Sequence, residues 1–222
     1  MEYRIRYDIE RVSKRLVEAF KELETAIVSD SMGRSNAMSH DIKPIWRGAR
    51  VCGPAVTVQS WPADNLTCHK AVEVAEPGDV LVIDGAGYLD ASPWGALISL
   101  SCQVKGIQGV VIDGGCRDVA EIERMRFPVF ARAITPRGTV KESFGRINYP
   151  IKCGGVLVNP GDLILGDEDG VVVVPREKAS EILSLSKERV EKEEKLRREI
   201  LQGKLLLHLL GLEETLKRKG IK

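Results

Sequence analysis

The fold follows most directly from residues 106–118, which are Gly106-Ile107-Gln108-Gly109-Val110-Val111-Ile112-Asp113-Gly114-Gly115-Cys116-Arg117-Asp118. A short apolar run bounded by glycines is typical of a strand that is buried on both faces. Open α/β folds place their chemistry at the carboxyl ends of such strands. An adjacent Arg-Asp pair there can hold an anionic substrate and a cation.

The middle of the chain repeats this pattern. Further short apolar runs, bounded by Gly, Pro and Asp, predict buried strands, and periodic segments between them predict helices. The predicted strands are Ala55–Val58, Val80–Ile83, Gly109–Ile112, Val129–Ala131, Gly155–Val158 and Val171–Val174. The predicted helices are Leu66–Ala75, Gly95–Lys105 and Val119–Met125. The pattern indicates a mixed α/β domain.

Helical spacing also occurs within the first 35 residues. The apolar residues that carry it are Ile9, Val12, Leu16, Phe20 and Leu23. A second helix is predicted to begin near Thr25, where Ser29 and Asp30 resemble cap residues. Two Pro-Gly-Asp turns, at 76–79 and 159–162, each predict a following strand, since the Asp can bond the backbone of the turn.

The C-terminal part is expected to form an extension. A charged helix is predicted from Arg176 to about Gln202, supported by Glu-Lys and Glu-Arg pairs at i,i+4 spacing, and Gly203 interrupts it. Residues 205–210 are too apolar to be solvated on all sides, so we expect them to pack on their own domain or on a neighbouring subunit. The predicted division is residues 1–175 as one domain and 176–222 as a helical extension.

Composition excludes little. The 222 residues include 33 basic and 32 acidic side chains, and the net charge of +1 gives no reason to expect nucleic acid or a membrane as partner. No apolar window is long enough to span a bilayer, so a cytoplasmic location is expected.

The five cysteines lack CxxC spacing, and we expect them to be small buried hydrophobic residues. Cys116 beside Arg117 leaves a nucleophilic thiol as an alternative, with no histidine nearby in sequence.

Four motifs in this order carry a family resemblance. They are Gly95-Ala96-Leu97, Gly106-Ile107-Gln108-Gly109, Asp113-Gly114-Gly115-Cys116-Arg117-Asp118 and Gly166-Asp167-Glu168-Asp169-Gly170-Val171-Val172-Val173-Val174-Pro175. The chain resembles the 4-hydroxy-4-methyl-2-oxoglutarate aldolases over about residues 25–212. That family also contains the regulator of ribonuclease activity A, which binds ribonuclease E. The resemblance implies a swivelling β/β/α fold, an αββα sandwich, assembled as a trimer or two stacked trimers with sites at subunit boundaries.

The resemblance also implies a class II aldolase. A divalent cation, Mg2+ or Mn2+, would bind a small 2-oxo acid, and retro-aldol cleavage would release pyruvate. Oxaloacetate decarboxylation is implied as a side activity, because both reactions pass through the pyruvate enolate. The alternative is a non-enzymatic regulator that binds a ribonuclease through its oligomer surface. The long C-terminal helix favours the enzyme, since the regulators end near the Val-Val-Pro strand.

Residue roles come from the same resemblance. Arg117 would clamp the substrate carboxylate, and Asp118 would bind the cation directly or through water. The backbone amides of Gly95, Ala96, Leu97 and Ile98 would receive the oxo acid, although relatives often carry an acidic or polar residue at the position of Ala96. Glu193 would reach the metal site of a neighbouring subunit. The alternatives are a surface ion pair or a helix cap at Arg117-Asp118, a plain helix start at Gly95, and a solvated charge at Glu193.

Other candidates are less specific. Asp113 could orient Arg117 or a metal-bound water. Asp84 and Asp90 flank glycines, but the spacing does not match a phosphate loop, so turn chemistry is expected. The three histidines are expected to be structural or surface residues; they are His40, His69 and His208. The polar loop after the second predicted helix could face the cleft, and its residues are Arg34, Ser35 and Asn36.

Overall fold

The computed structural model describes residues 4–221. The helices are α1 (Lys14–Lys21), α2 (Thr25–Ser31), α3 (Leu66–Val74), α4 (Ala96–Lys105), α5 (Val119–Met125), α6 (Ala179–Leu201), α7 (Leu206–Leu209) and α8 (Leu212–Arg218). The strands are β1 (Lys43–Pro44), β2 (Val51–Gln59), β3 (Val80–Tyr88), β4 (Gly109–Cys116), β5 (Val129–Ile134), β6 (Arg146–Ile147), β7 (Ile151–Cys153), β8 (Val156–Val158), β9 (Leu163–Asp167) and β10 (Gly170–Val174). A 3-10 turn at Arg176–Lys178 precedes α6.

The main sheet has a parallel centre and antiparallel flanks. Its strand order is β1-β5-β4-β3-β2-β9-β10, and β6 also pairs with β2. Strands β2, β3, β4 and β5 run parallel, whereas β9 and β10 are antiparallel to their neighbours. Strand β2 joins the two parts because Val51–Pro54 pairs with β9 and Ala55–Gln59 pairs with β3. The carboxyl ends of four parallel strands therefore lie along one edge.

Three apolar layers hold the fold together. Helices α3, α4 and α5 cover one face of the parallel strands, with Leu81, Ile112 and Trp94 among the buried residues. The hairpin of β7 and β8 packs on the opposite face of these strands through Ile151 and Val158. Helices α1, α2 and α6 form the third layer with one face of β9 and β10. The result is the predicted αββα sandwich with a C-terminal helical extension.

Most predicted elements are confirmed, and one is wrong. The six predicted strands and the three central helices occur within a few residues of their expected bounds. The N-terminal prediction fails before Ser13, whose hydroxyl accepts a bond from Leu16 N–H and so begins α1. Ile5 pairs instead with Ile147, and Val12 N–H donates to Gly161 O. This segment is extended because its backbone bonds reach distant partners rather than its own next turn.

Both Pro-Gly-Asp turns form as predicted. Asp79 accepts a bond from Glu76 N–H at 2.7 Å, and Asp162 accepts one from Asn159 N–H at 2.8 Å. Asp167, the last residue of β9, has a related role because it accepts bonds from the N–H and hydroxyl of Thr25. This carboxylate thereby caps α2, whereas the expected cap residues Ser29 and Asp30 lie inside that helix.

The C-terminal arm, residues 203–221, leaves much apolar surface open. Gly203 interrupts the chain after α6 as expected, with a φ of +89°. Leu201 is 82% exposed and Leu205 is 63% exposed, and Leu206 and Leu210 line a groove along α6. The arm therefore does not bury its leucines within this chain. Among the helices of residues 4–221, none combines the length and apolar character that a bilayer crossing requires.

Candidate active site

Arg117 and Asp118 lie at the carboxyl edge of the parallel sheet. Strand β4 ends at Cys116, and α5 begins at Val119, so the pair occupies a two-residue turn between them. Asp118 has φ of +60° and ψ of +33°, a left-handed conformation that is uncommon outside glycine. Arg117 Nε lies 3.6 Å from Asp118 Oδ2, and both side chains are partly exposed (44% and 43%). The turn presents both charged groups at the surface.

Asp118 connects this turn to the start of α4. Its Oδ2 accepts a hydrogen bond from Ala96 N–H at 3.1 Å, and its side chain makes no cap bond to its own helix α5. Gly95 allows the close approach, because a Cβ there would lie 2.5 Å from Asp118 Oδ2 and 3.3 Å from Arg117 Cγ. Buried Trp94 fixes the segment, since its carbonyl accepts a bond from Arg117 N–H. The predicted neighbours from two distant segments thus meet in space.

The four predicted backbone amides are not equivalent. Gly95 is the cap residue of α4, as expected, and Ala96 N–H is already bonded to Asp118. Leu97 and Ile98 lie in the first turn, where a helix offers its N–H groups no partner of its own. The side chain of Leu97 is 80% exposed, whereas that of Ile98 is buried under the helix. The N–H groups of Leu97 and Ile98 are therefore the better placed for a ligand.

A loop from residues 135–145 supports Arg117 from behind. A Cβ on Gly138 would lie 2.8 Å from Arg117 Nη1, so the loop backbone packs directly against the guanidinium. Thr135 N–H donates to Cys116 O, and Ser92 N–H donates to Arg137 O. This contact was missed from the sequence, where Gly138 stands in an ordinary Pro-Arg-Gly turn motif.

Asp64 holds the far end of the same loop. Its carboxylate is buried and accepts bonds from the N–H groups of Leu66, Glu142 and Ser143 at 2.7 to 2.8 Å. Burial alone would raise the pKa of Asp64, but the bonds from Leu66, Glu142 and Ser143 outweigh it and lower that pKa. Asp64 is a structural anchor that the sequence did not reveal.

Asp113 does not serve Arg117. Its Oδ1 accepts a bond from Arg132 Nε at 2.7 Å, and its Oδ2 accepts one from Gly154 N–H at 2.8 Å. Arg132 also pairs with Asp41. Asp113 lies on the face of β4 opposite to Ile112, which packs in the helix layer. Its carboxylate thus ties β5 and the β7–β8 hairpin to the sheet, and the hypothesis that it orients Arg117 fails.

Neither Glu193 nor the thiol of Cys116 adds a reactive group beside Asp118 within one chain. Glu193 lies in α6, 3.5 Å from Arg189 Nε, and α6 belongs to the outer helix layer opposite to α4 and α5. Within one chain Glu193 is therefore remote from Asp118. Cys116 is buried, and burial raises the pKa of its thiol to about 12, which argues against a nucleophilic role. All five cysteines are free and buried, as expected.

The remaining polar residues considered for the site have local partners. Arg34 Nε lies 3.5 Å from Asp30, Ser35 donates to Met32 O, and Asn36 O accepts a bond from Val173 N–H. His208 pairs with Glu213 in the C-terminal arm. Asp84 Oδ1 accepts a bond from Ala86 N–H, which confirms turn chemistry there.

The metal donors around Asp118 are few. Within residues 4–221, no group of three or more His, Cys, Asp or Glu side chains is arranged to hold an ion. A partly exposed carboxylate suits Mg2+ or Mn2+, since Mg2+ usually keeps several waters and needs one or two protein carboxylates. The residues present therefore fit such an ion when water, substrate oxygens or another subunit complete its ligands.

The layers define an αββα protein, with an Arg-Asp pair and a glycine-opened helix at the carboxyl edge of its parallel strands as the candidate site. The chain belongs to the RraA-like family, whose model, described as Aldolase/RraA, matches residues 25–173. It is 33% identical over 154 residues to the 4-hydroxy-4-methyl-2-oxoglutarate aldolase of Thermus thermophilus, covering 69% of this chain and 93% of the relative.

Two solved structures similar to this chain are described as RraA proteins. Streptomyces coelicolor RraAS2, described as an unusual member of the RNase ES inhibitor RraA protein family, superposes with a TM-score of 0.79 at 29% identity, covering 85% of this chain and all of that one. The RNA-processing inhibitor RraA from Thermus thermophilis matches with a TM-score of 0.64 at 33% identity, over 69% of this chain and 93% of that one.

Proposed function

We propose that this protein is a divalent-metal-dependent lyase that cleaves 4-hydroxy-4-methyl-2-oxoglutarate or a related 2-oxo acid to pyruvate, with oxaloacetate decarboxylation as a side activity. One observation carries the proposal. The carboxylate of Asp118 and the guanidinium of Arg117 converge on the N-terminus of α4, where Gly95 lets them approach. Positive and negative groups within a few ångströms suit a ligand that brings both a carboxylate and a cation.

Arg117 binds the substrate carboxylate in this proposal. Its planar fork can donate two parallel hydrogen bonds to a carboxylate, and the backbone of Gly138 limits its movement on one side. The N–H groups of Leu97 and Ile98 point out of the first turn of α4 and are placed to donate to oxo and carboxylate oxygens. These contacts would orient the carbon–carbon bond that breaks.

Asp118 supplies the protein's ligand to the cation. Breaking a bond beside a 2-oxo acid leaves negative charge on the oxo oxygen, and a bound Mg2+ or Mn2+ supplies the positive charge that stabilises it. Asp118 would give up or share its bond to Ala96 N–H as it takes this role. Glu193 is proposed to come from a neighbouring copy, in a homotrimer or hexamer, because α6 lies in the opposite helix layer of its own chain.

The regulator alternative has its own support. One solved relative is described as an RNA-processing inhibitor, and RraAS2, described as an unusual member of an RNase ES inhibitor family, matches 85% of this chain. Arg117 and Asp118 do not discriminate the two functions, because a regulator can retain them. Binding of a ribonuclease would use exposed surface and would require no turnover.

Pyruvate release tests the two functions directly. EDTA-treated protein is assayed with oxaloacetate and with 4-hydroxy-4-methyl-2-oxoglutarate, before and after addition of Mg2+ or Mn2+. We expect release only after the metal is restored. No release from either compound in the presence of metal would contradict the lyase proposal, and binding of the purified protein to a ribonuclease E-type catalytic domain would then support the regulator.

A further inference from the structure

A second groove lies at the carboxyl edge of the sheet, beside β2 and β3. This open groove has a volume of about 630 Å³, within the roughly 300–1,000 Å³ that is usual for small-molecule sites. Its lining residues are Arg4, Gln59, Ser60, Trp61, Pro62, Asp84, Ala86, Phe144, Gly145 and Arg146. Phe144 and Gly145 end the loop of residues 135–145, and the lyase proposed for Arg117 and Asp118 assigns no substrate or metal contact to any lining residue.

Polar side chains reach this groove because they lie in register across adjacent strands. Gln59 in β2 pairs with Arg146 in β6 on one side and with Asp84 in β3 on the other, and Asp84 pairs with Asp113 in β4. Paired positions in neighbouring strands project to the same face of a sheet. Asp113 is held by Arg132, so the row opens to the groove at Asp84, Gln59 and Arg146.

Asp84 gives the floor of the groove an acceptor. Its Oδ1 already accepts a bond from Ala86 N–H. Burial, and then the neighbouring charge of Asp113, raise the pKa of Asp84. A ligand N–H or O–H that donates to Asp84 would offset the cost of keeping this carboxylate charged, and the carboxamide of Gln59 can donate or accept beside it.

The walls of the groove are aromatic and basic. Trp61 lies two residues after β2 and is 57% exposed, so much of its indole is accessible to a ligand. Phe144 is half-buried, and its carbonyl accepts a bond from Arg4 Nη1 at 2.6 Å, which places a guanidinium at the rim. Arg146 contributes a second guanidinium, 5.5 Å above the Tyr149 ring. A groove lined by an exposed tryptophan and two arginines suits a flat, negatively charged molecule.

We propose that this groove binds a small molecule that combines a planar ring with an anionic group. The ring would lie against Trp61, and its polar edge would bond to Asp84 and Gln59. The anionic group would lie between Arg4 and Arg146. A mononucleotide and a hydroxylated aromatic acid share this chemistry.

Calorimetric titration of the intact protein with four probes tests the proposal. The probes are AMP, 4-hydroxybenzoate, adenosine and inorganic phosphate. We expect AMP or 4-hydroxybenzoate to bind, and phosphate alone to bind more weakly than either. Trp61→Ala should weaken binding of the ring-bearing anion at least about fivefold, since a stacked base typically contributes that much or more. Preference for AMP identifies a nucleotide, and preference for 4-hydroxybenzoate identifies an aromatic acid.

Two further variants make the result decisive. Leu157→Ala, at an equally exposed apolar side chain in β8, is the matched control and should leave binding unchanged. Arg4→Gln should weaken AMP while leaving adenosine unaffected, because only the anionic group is involved. The proposal is overturned if no probe binds at millimolar concentration, or if Trp61→Ala binds the probes as tightly as Leu157→Ala.

Discussion

Asp118 combines a strained backbone with an exposed carboxylate. A non-glycine residue in the left-handed region costs on the order of 1–3 kcal/mol, and such residues cluster at functional sites. Asparagine tolerates this conformation as well as aspartate, so it isolates the charge. In Asp118→Asn we expect metal-restored pyruvate release to fall about 100-fold or more, because the carboxylate proposed to bind the cation is lost. Initial rates at saturating Mg2+ measure the effect.

Asp90→Asn is the matched control for this carboxylate. Asp90 is exposed on another loop near the same edge, and its substitution should leave turnover unchanged. Both variants should keep the melting temperature of the parent protein, since neither carboxylate supports the core. Full activity in Asp118→Asn would remove Asp118 from the proposed chemistry.

Arg117→Lys separates charge from geometry. Lysine keeps the positive charge but cannot make two parallel bonds to one carboxylate. We expect kcat/KM for the 2-oxo acid to fall at least about tenfold, since about 1.4 kcal/mol is a tenfold change and a bidentate charged contact exceeds that. Steady-state kinetics give the comparison, with Arg47→Lys at an almost fully exposed position as control. Unchanged kcat/KM would show that Arg117 is not the carboxylate clamp.

The loop of residues 135–145 depends on one buried carboxylate. Asp64→Asn replaces an acceptor of three backbone N–H bonds by a side chain with an N–H2 group of its own. We expect the free energy of unfolding at pH 7 to fall by about 2–3 kcal/mol, the usual cost of leaving buried groups unsatisfied. Urea denaturation measures the change.

The same substitution has a defined pH dependence. The pKa of Asp64 is lowered in the folded state, so its contribution to stability is present above the unfolded value of about 4 and is lost as pH falls through the lower folded value. The stability difference between parent and Asp64→Asn should therefore shrink below about pH 4. A difference that stays constant between pH 7 and pH 3 would contradict this assignment.

Strands and turns could be predicted from the sequence because their signals are local. The apolar run before Arg117 and the two Pro-Gly-Asp turns carry their own boundaries. The segment before Ser13 could not be read this way, because the spacing of Ile9 and Val12 also suits an extended chain that touches the core at intervals. The spacing alone does not show that Ile5 pairs with Ile147.

Only some residues of the candidate site could be predicted from the sequence. Arg117, Asp118 and Gly95 could be named from motifs at a strand end and a helix start. Gly138 and Asp64 could not. Arg117 is 21 residues from Gly138, and Glu142 is 78 residues from Asp64. Long-range backbone contacts leave little mark on a single sequence.

The C-terminal arm determines assembly if its open leucines pack on another copy. Exposed apolar patches of this kind usually mark interaction sites. Truncation after Gln202 should convert the expected trimer or hexamer into smaller species while the remaining domain stays folded. Light scattering coupled to gel filtration gives the mass, and circular dichroism checks the fold. An unchanged mass would exclude the arm from the subunit interface.

The five free cysteines are distributed over the three apolar layers of the molecule. Cys68, Cys102 and Cys116 lie in the layer under α3, α4 and α5, Cys153 lies in the middle layer, and Cys52 lies in the third. Because these thiols are free and buried, an alkylating reagent can modify each one only when its layer opens. The rates of labelling, resolved by mass spectrometry, would therefore rank the three layers by the frequency of their local opening.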